Sequence, residues 1–134
     1  MTAWATGYFD NDDAADFLRD LGVAGTWATA RHALQAAIDA EYLEAPEAGA
    51  AVAAAGVLAA VMTGAPVLLP DAASVLPAIL GPAPPELPAL ALKALSKVVN
   101  GSELDALFSE SGGERYDEWL NGISALRNLI VGLA

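Results

Sequence analysis

The sequence predicts an all-α fold: a single-domain, irregular bundle of about five to seven helices spanning residues 1–134. Three observations lead there. Apolar residues recur at helical spacing through most of the chain. No segment shows the strict alternation of a half-buried strand. Glycine, proline and aspartate fall between the periodic stretches, where helices start and stop.

The first helix is expected near 12–21. Asn11, Asp12 and Asp13 precede A-A-D-F-L-R-D-L-G. Their side chains are suited to the unpaired N–H groups of a first turn, and their charge suits its positive end. Phe17, Leu18 and Leu21 share a broad face, and Gly22 is the expected stop. Asp16 and Asp20 repel at i,i+4, and Arg19 is placed to offset this from i,i+3 of Asp16.

A second helix is expected from about 27 to 42, capped by Thr26 or Thr29, with Ala30, Leu34, Ala37, Ile38 and Tyr42 at helical spacing. E-A-P-E at 44–47 reads as a junction, with Pro46 in the first turn of a third helix over 47–63. No charge occurs between Glu47 and Asp71. Such a helix has no polar face, so it belongs in the centre with neighbours on several sides. Its length would also span a bilayer. Its alanine and glycine content, the interruptions at Gly64, Pro66 and Pro70, and the lack of flanking Lys or Arg favour a buried helix.

Prolines at 66, 70, 77, 82, 84 and 85 punctuate the next region, where Ser74 is placed to cap one short turn through Leu80. The clearest amphipathic helix covers about 86–99. Leu87, Leu90, Ala91, Ala94, Leu95 and Val98 lie on one side, with Glu86, Lys93, Lys97 and Asn100 towards the other. Ser102 and Glu103 open a short helix that Ser111-Gly112-Gly113 ends. The last helix, about 114–131, carries Tyr116, Trp119, Leu120, Ile123, Leu126 and Ile130.

Composition narrows function by subtraction. The net charge is −11, from 17 acids and 6 bases. Residues 1–50 hold nine acids and two bases, residues 51–100 two of each, and residues 101–134 six acids and two bases. Direct nucleic-acid binding is therefore not expected, whereas a basic protein partner is. Cysteine is absent, which excludes disulfides and thiolate metal sites and fits a reducing compartment. With no basic stretch leading an apolar run, a secretory signal is not expected and a cytoplasmic location is. Neither membrane insertion nor a cofactor is expected. A homodimer through the apolar third helix is not distinguished from an intramolecular core by composition.

Catalytic raw material is sparse. His32 is the one histidine, beside Arg31, and is expected at the surface or an interface. Triads need a nucleophile, a base and an orienting acid. No motif singles out Ser74, Ser96, Ser102, Ser109, Ser111 or Ser124. A zinc site lacks ligands. A calcium loop counted from Asp10 puts Ala15 at its sixth position and Leu21 at its twelfth, so that pattern fails. No phosphate-binding glycine motif occurs. Paired acids such as Glu114 with Glu118, or Asp39 with Glu41, would serve acid–base chemistry only if burial separated their pKa values.

The opening W-A-T-G-Y-F-D-N-D-D-A-A-D-F-L, positions 4–18, resembles that of the bacterial domain of unknown function 4259 family, W-G-x-G-x-F-x-N-D-x-A-x-D-(W/F)-L. Trp4, Gly7, Phe9, Asn11, Asp12, Ala14, Asp16, Phe17 and Leu18 match, and Ala5 stands where the family has glycine. E-Y-L-E-A at 41–45, S-E-L at 102–104, L-F-S-E-S at 107–111 and Y-D-E-W-L at 116–120 are also similar to the family. A glutamate often stands in the family where this chain has Gly56. The resemblance implies a small soluble protein and carries no activity with it. Trp4, Gly7, Phe9, Asn11, Asp12 and Asp16 are the candidate motif and partner-contact residues, with no catalytic, metal or cofactor role assigned. The expected function is a non-enzymatic acidic interaction or regulatory module. The alternative is a hydrolytic enzyme using a carboxylate cluster, with or without a divalent cation.

Overall fold

A computed structural model describes residues 12–64, 75–100, 102–111 and 113–133. These form seven helices: α1 (Asp12–Ala24), α2 (Ala28–Asp39), α3 (Ala45–Thr63), α4 (Leu76–Leu80), α5 (Leu87–Val99), α6 (Glu103–Ser111) and α7 (Gly113–Leu133). No strand occurs among the described residues. The all-α bundle is as the sequence predicts.

The centre is α3, packed against the six other helices. Its buried positions comprise Ala45, Ala48, Gly49 and every residue from Ala51 to Ala60. Eight of these are alanine and two are glycine. Small side chains let the neighbouring axes approach closely, and the large groups of those neighbours fill the intervening space. Leu21, Leu34, Leu43, Leu87, Leu95, Ile123, Leu126 and Ile130 are all fully buried in the same core. Among the described residues α3 alone is long and apolar enough to cross a membrane, yet 72% of its most apolar stretch lies inside the bundle.

Gly64 ends α3 in the left-handed conformation at φ 67°, its N–H reaching the carbonyls of Ala60 and Val61. Thr63 Oγ1 adds a hydrogen bond to Ala59 O at 2.8 Å. Pro46 sits in the first turn, where its missing N–H costs nothing.

Several element ends differ from the sequence reading. Helix α1 passes through Gly22 and stops at Gly25, which takes φ 69° and donates its N–H to Leu21 O at 2.9 Å. Both glycines permit that geometry, and the register against the bundle chooses the second. A Cβ at Gly22 would meet only Leu76 Cδ2 at 3.7 Å, an ordinary contact. Neither Thr26 nor Thr29 caps α2. Trp27 precedes it with no side-chain cap, its ring buried and its indole N–H donating to Gly81 O at 3.2 Å. Helix α2 also ends earlier than expected, because Ala40 turns extended. Gly113 opens α7 rather than ending α6. Ser74 lies outside the described residues.

Lys97 departs from a solvated role. From α5 it reaches across to α2, donating to Ile38 O at 3.2 Å and to Ala40 O. A cation is thereby set against unpaired carbonyls at the negative end of a helix. Arg31 of α2 pairs with Glu86 at the start of α5, so two cation contacts tie these helices.

The similar stretches beyond the opening meet in space. The Glu103 N–H donates to Leu43 O at 2.8 Å, and Glu103 Oε1 accepts the Ala45 N–H at 2.8 Å. E-Y-L-E-A and S-E-L are thus joined at the start of α3. Ser102, buried, donates to Val98 O at 2.6 Å and accepts the Asp105 N–H at 3.0 Å. It closes α5 and caps α6 with one hydroxyl. Tyr116 of Y-D-E-W-L then donates its phenol to Asp105 Oδ1 at 3.0 Å. Its ring lies 6.1 Å from that of Trp119, tilted by 33°. The Asp105 hydrogen bond, then desolvation, then the charges of Asp105 and Asp117 raise the Tyr116 pKa above 10.0.

Gly22→Ala is expected to raise stability by about 0.5–1 kcal/mol in urea unfolding, because it removes a glycine from a helix interior. Gly25→Ala is expected to lower it, because it forces a Cβ into the left-handed region. Glu103→Ala should cost about 1 kcal/mol through the lost α3 cap, and Glu103→Gln less, since an acceptor oxygen remains. In an alkaline ultraviolet titration, one tyrosine should ionise above the ordinary range, and Tyr116→Phe should remove it. Because the folded pKa is raised, this bond's stabilisation is present below the unfolded tyrosine value and lost as pH rises through the folded one.

Candidate functional site

Of the six motif residues, Trp4, Gly7, Phe9 and Asn11 lie outside the described residues. Asp12 begins α1, as expected of the helix start, and its side chain is outside the described set. Asp16 is exposed on α1 and accepts a hydrogen bond from Arg19 Nη2 at 3.1 Å, the i,i+3 relief the sequence suggests. Of the expected face of α1, Phe17 and Leu21 are buried, and Leu18 is partly buried against the core.

The acids as a group face outward. Among the described residues no Asp or Glu side chain is buried, and Ser102 is the buried polar residue. Glu114 and Glu118 are exposed, as are Asp39 and Glu41. Asp39 accepts a hydrogen bond from Gln35 Nε2 at 3.0 Å. The burial needed to split a carboxylate pair into acid and base is missing at these positions. No buried side-chain nitrogen or oxygen among the described residues lacks a partner.

One hollow unites residues that the sequence keeps far apart. Between α1, α2 and α3, Phe17, Ala33, Ala36 and Ala50 form apolar walls, and Thr29 adds a hydroxyl. Asp20, His32 and Glu47 supply the remaining polar lining. The hollow measures ≈ 250 Å³. All three ionisable side chains are exposed, and they do not converge as metal ligands would. His32 also borders a second hollow with Trp27, Arg31, Gln35 and Pro84. The surface position expected of His32 is found. The pairing of Asp20 with Glu47 across two helices has no signal in sequence spacing, because it depends on how α1 docks on α3.

The resemblance carried by the opening and the later stretches is sustained by comparison with known proteins. No curated protein and no solved structure matches the chain. A family model described as a domain of unknown function (DUF4259) matches residues 2–122, nearly the whole of the sequence. The chain belongs to the domain of unknown function 4259 family.

Proposed function

We propose that this protein is a non-enzymatic interaction module whose acidic surface binds a basic protein partner. The observation that carries this reading is the outward disposition of its charge. With a net charge of −11, the chain buries none of the described carboxylates. Exposed acids attract a basic surface at long range and fix its orientation on contact. Contacts between the helices are made by Ser102, Glu103, Lys97, Trp27 and the Arg31–Glu86 pair. Asp20, Glu47, Glu114, Asp117 and Glu118 remain exposed.

The hydrolytic alternative requires carboxylates gathered in a water-poor cleft, with or without a cation. No group of three or more His, Asp or Glu side chains among the described residues is arranged to hold a metal.

An arginine-rich peptide serves as a surrogate partner for the full chain. Binding by titration calorimetry is expected at low ionic strength and should weaken steeply towards about 0.15 M salt, where the screening length is near 8 Å. A glutamate-rich peptide should not bind. Salt-independent binding, or equal binding of both peptides, would contradict an electrostatic module.

A further inference from the structure

We propose that the hollow between α1, α2 and α3 is the seat for an arginine side chain presented by a basic protein partner. This rests on the interaction-module reading and assigns it a place. Three features of the hollow select the guest.

First, the walls and rim differ. Phe17, Ala33, Ala36 and Ala50 offer an apolar channel to an aliphatic stem, while Asp20 and Glu47 offer carboxylates to its charged head. That division matches a long cationic side chain, which buries its methylenes and keeps its charge at the mouth.

Second, the local positive charges are already committed. The two bases of residues 1–50 are Arg19 and Arg31. Arg19 pairs with Asp16, and Arg31 pairs with Glu86. No Lys or Arg lines the hollow. Among the described residues, neither Asp20 nor Glu47 forms an ion pair. Among the described residues, the rim therefore presents two carboxylates outside any ion pair.

Third, the hollow has the size for one long side chain. Asp20, His32 and Glu47 do not form a metal-ligand set, whereas ≈ 250 Å³ accommodates one long side chain. Arginine is preferred to lysine because its planar guanidinium is weakly hydrated and bonds carboxylates through a fixed fork of donors.

The test is a nuclear magnetic resonance titration of the full chain with the arginine-rich peptide and with its citrulline counterpart, which is nearly isosteric and uncharged. Saturable shifts are expected at the Ala33, Ala36 and Ala50 methyls with the arginine peptide alone. Asp20→Asn with Glu47→Gln should weaken binding about tenfold, as expected for losing two exposed ion pairs. Glu114→Gln with Asp117→Asn removes equal charge from the acidic surface on α7, away from the hollow, and should weaken binding by about twofold, through the long-range field alone. Salt-sensitive binding with shifts elsewhere and equal losses from both double variants would overturn the seat and leave the module reading standing. Absence of binding at low salt would overturn both. Equal binding of the citrulline peptide would show an apolar groove instead. Methyl shifts that follow protein concentration without peptide would show that a second copy occupies the hollow, again overturning the proposal.

Discussion

Close packing around an alanine-rich helix is the constraint on which this fold depends. Every residue of α3 from Ala51 to Ala60 is buried, and none carries a side chain larger than leucine. A core of this kind derives its cohesion from short axial separations and from the leucines and isoleucines of surrounding helices. It tolerates added volume poorly, because the neighbours have no slack to yield. The same constraint explains why α3 has almost no charge: Glu47, in its first turn, is the exception, placed where the helix end meets solvent.

Helix ends are held by contacts that cross the bundle. Glu103 supplies an acceptor to the first turn of α3, and Lys97 supplies a cation to the last carbonyls of α2. Trp27 reaches Gly81 beyond α4. Two of the stretches shared with the family, 41–45 and 102–104, are joined by such contacts, and 116–120 follows through Tyr116 and Asp105. The Arg31–Glu86 pair aside, the exposed acids make no contact across the bundle among the described residues, which is why they are the material for recognition.

The sequence made the central position of α3 legible, because an uncharged helix without a polar face has to be surrounded. It also made Pro46, Ser102 and the Asp16–Arg19 pair legible, since each acts within a few residues of itself. What it hid depends on tertiary placement. Gly22 and Gly25 are equal as stop signals until docking decides between them. Lys97 looks like a solvent-facing lysine until the end of α2 comes beneath it. The hollow shared by Asp20, His32 and Glu47 exists only once three helices meet. Of the opening motif, Asp16 is seen in full, and its partner is the nearby Arg19.

Native-state hydrogen exchange of α3 tests this account most directly. Amides from Ala48 to Ala60 should be the slowest in the chain, exchange only through global unfolding, and keep the same protection at every protein concentration. Exchange in α3 as fast as in α4 or α6, or protection that grows with protein concentration, would contradict a core closed within one chain.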